Sequence, residues 1–258
     1  MIMRHLASLL FLPLILGGCV TDPSKGEDAP SIGKLGKDQN YESPSNTYIQ
    51  LAYEYMKRGD YATALNKAKK AVQRDPNNGN AHLVLALLYE ALGENGSANA
   101  AYRRALEVDG KNPYALNAYG SYLCKLGEYE RALSHFDKAL QNPLYQTPWV
   151  ALANAGYCAR KAGNLSRAEA YLRKALERNP GYPMALFQMA EVRFAQEKFM
   201  SARAYLQRYR EVAKPTAPML YLSILTERQL GNADQVRSDE LLLKSDFPDS
   251  EQAQKLGY

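Results

Sequence analysis

The chain has 258 residues, is 46% hydrophobic and carries a formal net charge of +5. For this length the charge is mild, and Lys67, Lys69, Lys70 and Arg74 stand beside Asp60 and Asp75 as on solvated helix faces. No RNP-type aromatic stretch or other nucleic-acid motif accompanies the basic residues, which argues against a nucleic-acid partner.

The first segment is a leader. Arg4 gives a short positive region, and Leu6 to Leu16 is an apolar run with Ser8 and Pro13 inside it. A bilayer span needs about 20 apolar residues, so this run fits a signal-peptide core better than a transmembrane helix. It ends Leu16-Gly17-Gly18-Cys19, which resembles the bacterial lipobox. That resemblance implies cleavage before Cys19 and a covalent lipid on its sulfur; an ordinary signal peptide with an incidental cysteine is the alternative. Two or more acyl chains anchor a protein stably where one does not. Val20 follows the cysteine, where many inner-membrane lipoproteins of Gram-negative bacteria carry aspartate, so the resemblance implies the periplasmic face of the outer membrane. Residues 1–18 are thus expected to be removed, taking Arg4 and His5 with them.

Residues 19–44 are rich in Asp, Pro, Ser, Gly and Lys and have no sustained apolar period. They read as a lipidated start followed by a flexible tether. About 25 extended residues reach on the order of 80 Å, enough to hold a globular part away from the lipid.

A 34-residue pattern then runs six times, over 45–78, 79–112, 113–146, 149–182, 183–216 and 217–250, with Thr147 and Pro148 inserted between the third and fourth copies. Position 8 holds Ala52, Ala86, Gly120, Gly156 and Ala190 in the first five copies. Position 20 holds Ala64, Ala98, Ala132, Ala168 and Ala202, and Ala71, Ala105, Ala139 and Ala175 occupy position 27 in the first four. Small residues at these places let two helices approach closely, a glycine at position 15 ends the first helix, and a proline near position 32 ends the second. The pattern matches the tetratricopeptide repeat and predicts an all-α superhelix of six helix–turn–helix repeats. Copies five and six drift from it, as terminal repeats do. Residues 251–258 are expected to be a short frayed tail. Most of the 19 tyrosines fall at repeat positions that pack helices.

In such a stack the first helix of each repeat lines the concave wall, with positions 2, 5, 9, 12 and 13 facing inward. On that basis Ile49, Tyr53 and Met56 of the first repeat, with Leu83 and Leu87 of the second, line an apolar groove, and Asn117 continues it into the third. Such a groove suits an amphipathic helix or an extended segment. Cys124 and Cys158 fall at positions 12 and 10 of neighbouring repeats. In an oxidising compartment they are expected to form a disulfide, with two buried free thiols as the alternative.

Catalysis finds no residues to carry it. His82 sits at a packing position, His135 beside Phe136 on a second helix is expected to be solvated, and no phosphate loop, nucleophile elbow or paired-histidine motif is present. The two cysteines lack further ligands for a metal. No enzyme activity, metal or cofactor is expected beyond the lipid on Cys19.

Asn117-Ala-Tyr-Gly-Ser-Tyr-Leu-Cys124, Gly127 to Phe136, Pro143-Leu-Tyr145 and Asn154-Ala-Gly-Tyr-Cys158 together resemble the PilF/PilW family of type IV pilus lipoproteins. The resemblance takes in the lipobox, the six repeats and the paired cysteines. It implies a monomeric pilotin that binds the pilus secretin and promotes its outer-membrane insertion and multimerisation, although some members of the family act only in pilus stability. A lipid-anchored scaffold that activates a periplasmic cell-wall enzyme is the competing expectation.

Overall fold

The computed structural model describes residues 44–257. The leader, Cys19 and the tether up to residue 43 lie outside the described residues. Among these, thirteen helices follow one another: α1 (Pro44–Lys57), α2 (Tyr61–Arg74), α3 (Gly79–Ala91), α4 (Asn95–Val108), α5 (Pro113–Lys125), α6 (Tyr129–Leu140) and α7 (Pro148–Lys161). They continue as α8 (Leu165–Arg178), α9 (Pro183–Ala195), α10 (Phe199–Val212), α11 (Ala217–Gln229), α12 (Ala233–Asp246) and α13 (Glu251–Lys255). Each repeat supplies an odd-numbered helix A and an even-numbered helix B, and α13 follows the sixth pair.

Local chemistry sets the boundaries. Asp60, Asn164 and Asn232 each accept a backbone N–H from the third residue on, which caps α2, α8 and α12. Asn78 and Asn112 do the same for α3 and α5, and Pro113 occupies the first turn where no N–H is needed. Helix A stops at a left-handed residue, which is glycine in five repeats and Glu197, at φ 60°, in the fifth.

Within a repeat the helices meet at position 8. A Cβ on Gly120 would stand 2.8 Å from Phe136 Cε1, and one on Gly156 would stand 2.6 Å from Leu172 Cγ. The two glycines therefore make room for the large side chains opposite them. Phe136 and Leu172 are fully buried, and each such burial stabilises by about 2–3 kcal/mol.

Consecutive A helices touch along the whole stack, whereas no two consecutive B helices pack comparably. The A helices are thus crowded on the inside of the curve and the B helices spread over the outside. Asn78 donates from Nδ2 to Asn46 Oδ1 at 3.2 Å, and Asn112 donates to Asn80 Oδ1 at 2.9 Å. Each asparagine thereby caps one A helix and links it to the A helix before. This ladder stops after the third repeat, where Thr147 starts α7 without a side-chain cap. There Tyr145 is buried edge-on against Tyr114, and Cys124 is bonded to Cys158 with a Cα–Cα separation of 5.7 Å.

The C-terminal end departs from the expected frayed tail. Ser250 caps α13, and Ala253 is buried with Ala217, Leu220, Ile224 and Leu243. The short helix covers part of the apolar surface of the last helix pair.

Candidate functional site: the inner wall of the stack

The six residues assigned to the groove separate into two groups. Ile49 and Leu83 are 3% and 0% exposed and belong to the core, as does Asn117 at 2%. All three occupy position 5, one turn before the small residue at position 8, so they share the packed face of helix A. Asn117 accepts a hydrogen bond from Asn154 Nδ2 at 3.0 Å and so joins α5 to α7. The inner wall of the first two repeats is formed instead by half-buried Tyr53, Met56 and Leu87, each packed on the core from outside.

Beyond the second repeat the wall is mixed, with polar residues in repeats three and five and Tyr157 and Leu225 in repeats four and six. The residues in register with Tyr53 and Leu87 are Ser121, Tyr157, Glu191 and Leu225. Lys57 Nζ stands 4.5 Å above the Tyr53 ring. Glu90 accepts from Tyr102 Oη at 2.6 Å and pairs with Lys125 Nζ at 2.8 Å. Burial, with Glu90 beside it, holds the Tyr102 hydroxyl protonated well above its usual range. Arg160 lies 5.6 Å from the exposed ring of Tyr157 and pairs with Glu191 at 2.9 Å. Burial raises the Glu191 carboxyl, and Arg160 and Lys161 oppose that shift. The wall thus offers adjacent apolar side chains in repeats one and two and paired charge from Glu90 to Glu191.

His82 is buried with Nε2 2.9 Å from the Pro76 carbonyl. His135, expected to be solvated, is half-buried edge-on to Tyr119 with ring centroids 4.9 Å apart. Its Nδ1 has no partner, and burial, with Lys138 and Arg131 nearby, lowers its pKa. Among the described residues no cluster of three His, Cys, Asp or Glu side chains is placed to hold a metal.

The tetratricopeptide repeat profile matches residues 55–122 and 159–222. PilF of Pseudomonas aeruginosa, a type IV pilus assembly protein, is 30% identical over 95% of this chain and 94% of its own length. The chain belongs to the PilF/PilW family. The crystal structure of PilW, a widely conserved type IV pilus biogenesis factor, superposes with a TM-score of 0.77 at 35% identity, covering 83% of this chain and 98% of that one. The P. aeruginosa PilF structure superposes with a TM-score of 0.74 at 29% identity, over 83% and 96% of the two chains.

Two sets of residues in this family member escape a reading by repeat consensus. The linking asparagines recur at positions 2 and 34, Asn46 with Asn78 and Asn80 with Asn112, and that recurrence is a usable sequence signal. Positions 25 and 26 of the B helices are the second set, and they point outward.

Proposed function

We propose that the chain is a pilotin of type IV pilus biogenesis. It is lipidated at Cys19, sits on the periplasmic face of the outer membrane and binds the pilus secretin as a scaffold rather than as a catalyst. The observation that supports this reading is the half-buried row of Tyr53, Met56 and Leu87, adjacent on the inner wall of the first two repeats. Membership of a pilus family narrows the partner, and the apolar row supplies a surface for an apolar segment of it. Anchoring confines bound subunits to one surface and raises their effective concentration for assembly without any new contact.

The test is the double variant Tyr53→Gln/Leu87→Gln, which removes the apolar row and leaves the buried Leu83 in place. It is expected to weaken secretin binding about tenfold or more, as loss of two central contacts does. Helix content by circular dichroism should stay unchanged, and secretin multimers on unheated gels of outer membranes should fall. Normal multimers with the variant present at wild-type level would refute the groove.

A further inference from the structure

Positions 25 and 26 of each repeat lie on the outside of helix B. They are Lys69 and Lys70 on α2, Arg103 with Arg104 on α4, Asp137 and Lys138 on α6, Arg173 and Lys174 on α8, and Gln207 and Arg208 on α10. Most arginines of this stack are paired; Arg104 bonds Glu107, Arg167 bonds Glu130 and Arg193 bonds Glu169. Lys69, Lys70, Arg103, Lys138, Arg173 and Lys174 are all exposed, and none of the six is in an ion pair among the described residues. In the last repeat the same two positions are Leu241 and Leu242, 68% and 36% exposed. The outer ridge therefore carries unpaired cations over the first four repeats with Asp137 as its one acid, passes Gln207 and a half-buried Arg208 bonded to the Pro180 carbonyl in the fifth, and ends in an open apolar pair.

We propose that this ridge docks on an anionic bilayer surface. Its lysines and arginines meet headgroup phosphates, and the Leu241–Leu242 pair enters the apolar boundary below them. Long basic side chains extend their charge to such an interface while their stems cover apolar surface. An exposed leucine pair in the same register gains from a lipid surface and gains nothing from a soluble polyanion. The choice of lipid over an acidic protein rests on the anchor at Cys19 proposed above, which holds the ridge within a tether length of a bilayer. Each basic residue near an anionic leaflet strengthens attachment about fivefold.

The experiment places the full lipidated chain on vesicles of phosphatidylglycerol and phosphatidylethanolamine, or of phosphatidylcholine alone, and maps lysine acetylation by mass spectrometry. Lys69, Lys70, Lys138 and Lys174 are expected to react about fivefold or more slowly on the anionic vesicles. Lys111 and Lys125 should react equally on both. Roughly 0.5 M salt shortens the screening length to about 4 Å and should abolish the protection. The variant Arg173→Gln/Lys174→Gln with Leu241→Ser should lower the protection of the remaining ridge lysines. Equal acetylation on both vesicles would overturn the proposal, as would protection that appears only when a soluble acidic protein is added. Flotation with neutral vesicles reports the anchor separately. A chain that fails it, yet floats with anionic vesicles and shows the protection, keeps the ridge and loses the anchor.

Discussion

Repeats one to three and repeats four to six are joined by different chemistry. In the first half neutral amides run from repeat to repeat through Asn78 and Asn112, and Tyr102, Tyr119 and Tyr122 stack between α4 and α5. In the second half arginines reach carboxylates on neighbouring helices: Arg160 to Glu191, Arg193 to Glu169, Arg203 to Glu227 and Arg210 to Asp239. The amide links do not titrate, and the ion pairs do. The same fold is thus joined in one half mainly by amides and stacked tyrosines, with Glu90–Lys125 as an ion pair between repeats two and three, and in the other mainly by ion pairs that depend on pH and salt.

The contrast is broken most forcefully at Asp239, which is fully buried and accepts from Arg210 and Gln235. Asp239→Ala strands the arginine and is expected to cost about 3 kcal/mol in urea unfolding. Asn112→Ala in the first half removes a cap and a link, and is expected to cost about 1–2 kcal/mol. Equal losses would erase the distinction between the halves.

A smaller effect should appear on acidification. A hydrogen bond from Gln196, together with Arg193, lowers the Glu169 carboxyl below its ordinary value of 4.5. Its contribution is therefore present above that value and is lost as pH falls through the lower folded-state value. Amide exchange in α8 and α9 should speed up in that window relative to α3 and α5, and Glu169→Gln should remove the difference. Uniform acceleration along the stack would show that the ion pairs do not set the acid response.

The smallest change expected is a gain. Glu197 occupies the left-handed turn that glycine fills in the other repeats. Glu197→Gly should stabilise the fifth repeat by about 0.5–1 kcal/mol, read as a rise in the thermal midpoint.

The fold was legible because its signals are local and recur every 34 residues: small residues at the helix crossing, a breaker after each helix. The inner wall was legible only in part. Inward-facing positions repeat too, but whether a side chain is covered depends on its neighbour helix, and so Ile49 and Leu83 lie in the core while Tyr53 and Leu87 do not. Asn117 reads as a polar groove residue until Asn154, from the next repeat, is placed against it. His135 follows the same logic, since Tyr119 rather than its own helix sets its surroundings. The tail's packing was not legible because its anchoring residues, Ala253 and Leu256, carry no periodic signal.

Mechanically, a stack of helix pairs behaves as a spring whose compliance is spread over its junctions. The bond between Cys124 and Cys158 crosses the junction at which the capping asparagines end and Asn154 bonds Asn117. It acts as a rivet at mid-length: strain entering at the first repeat passes to the sixth through a covalent link, and bending is left to the two flanking stretches.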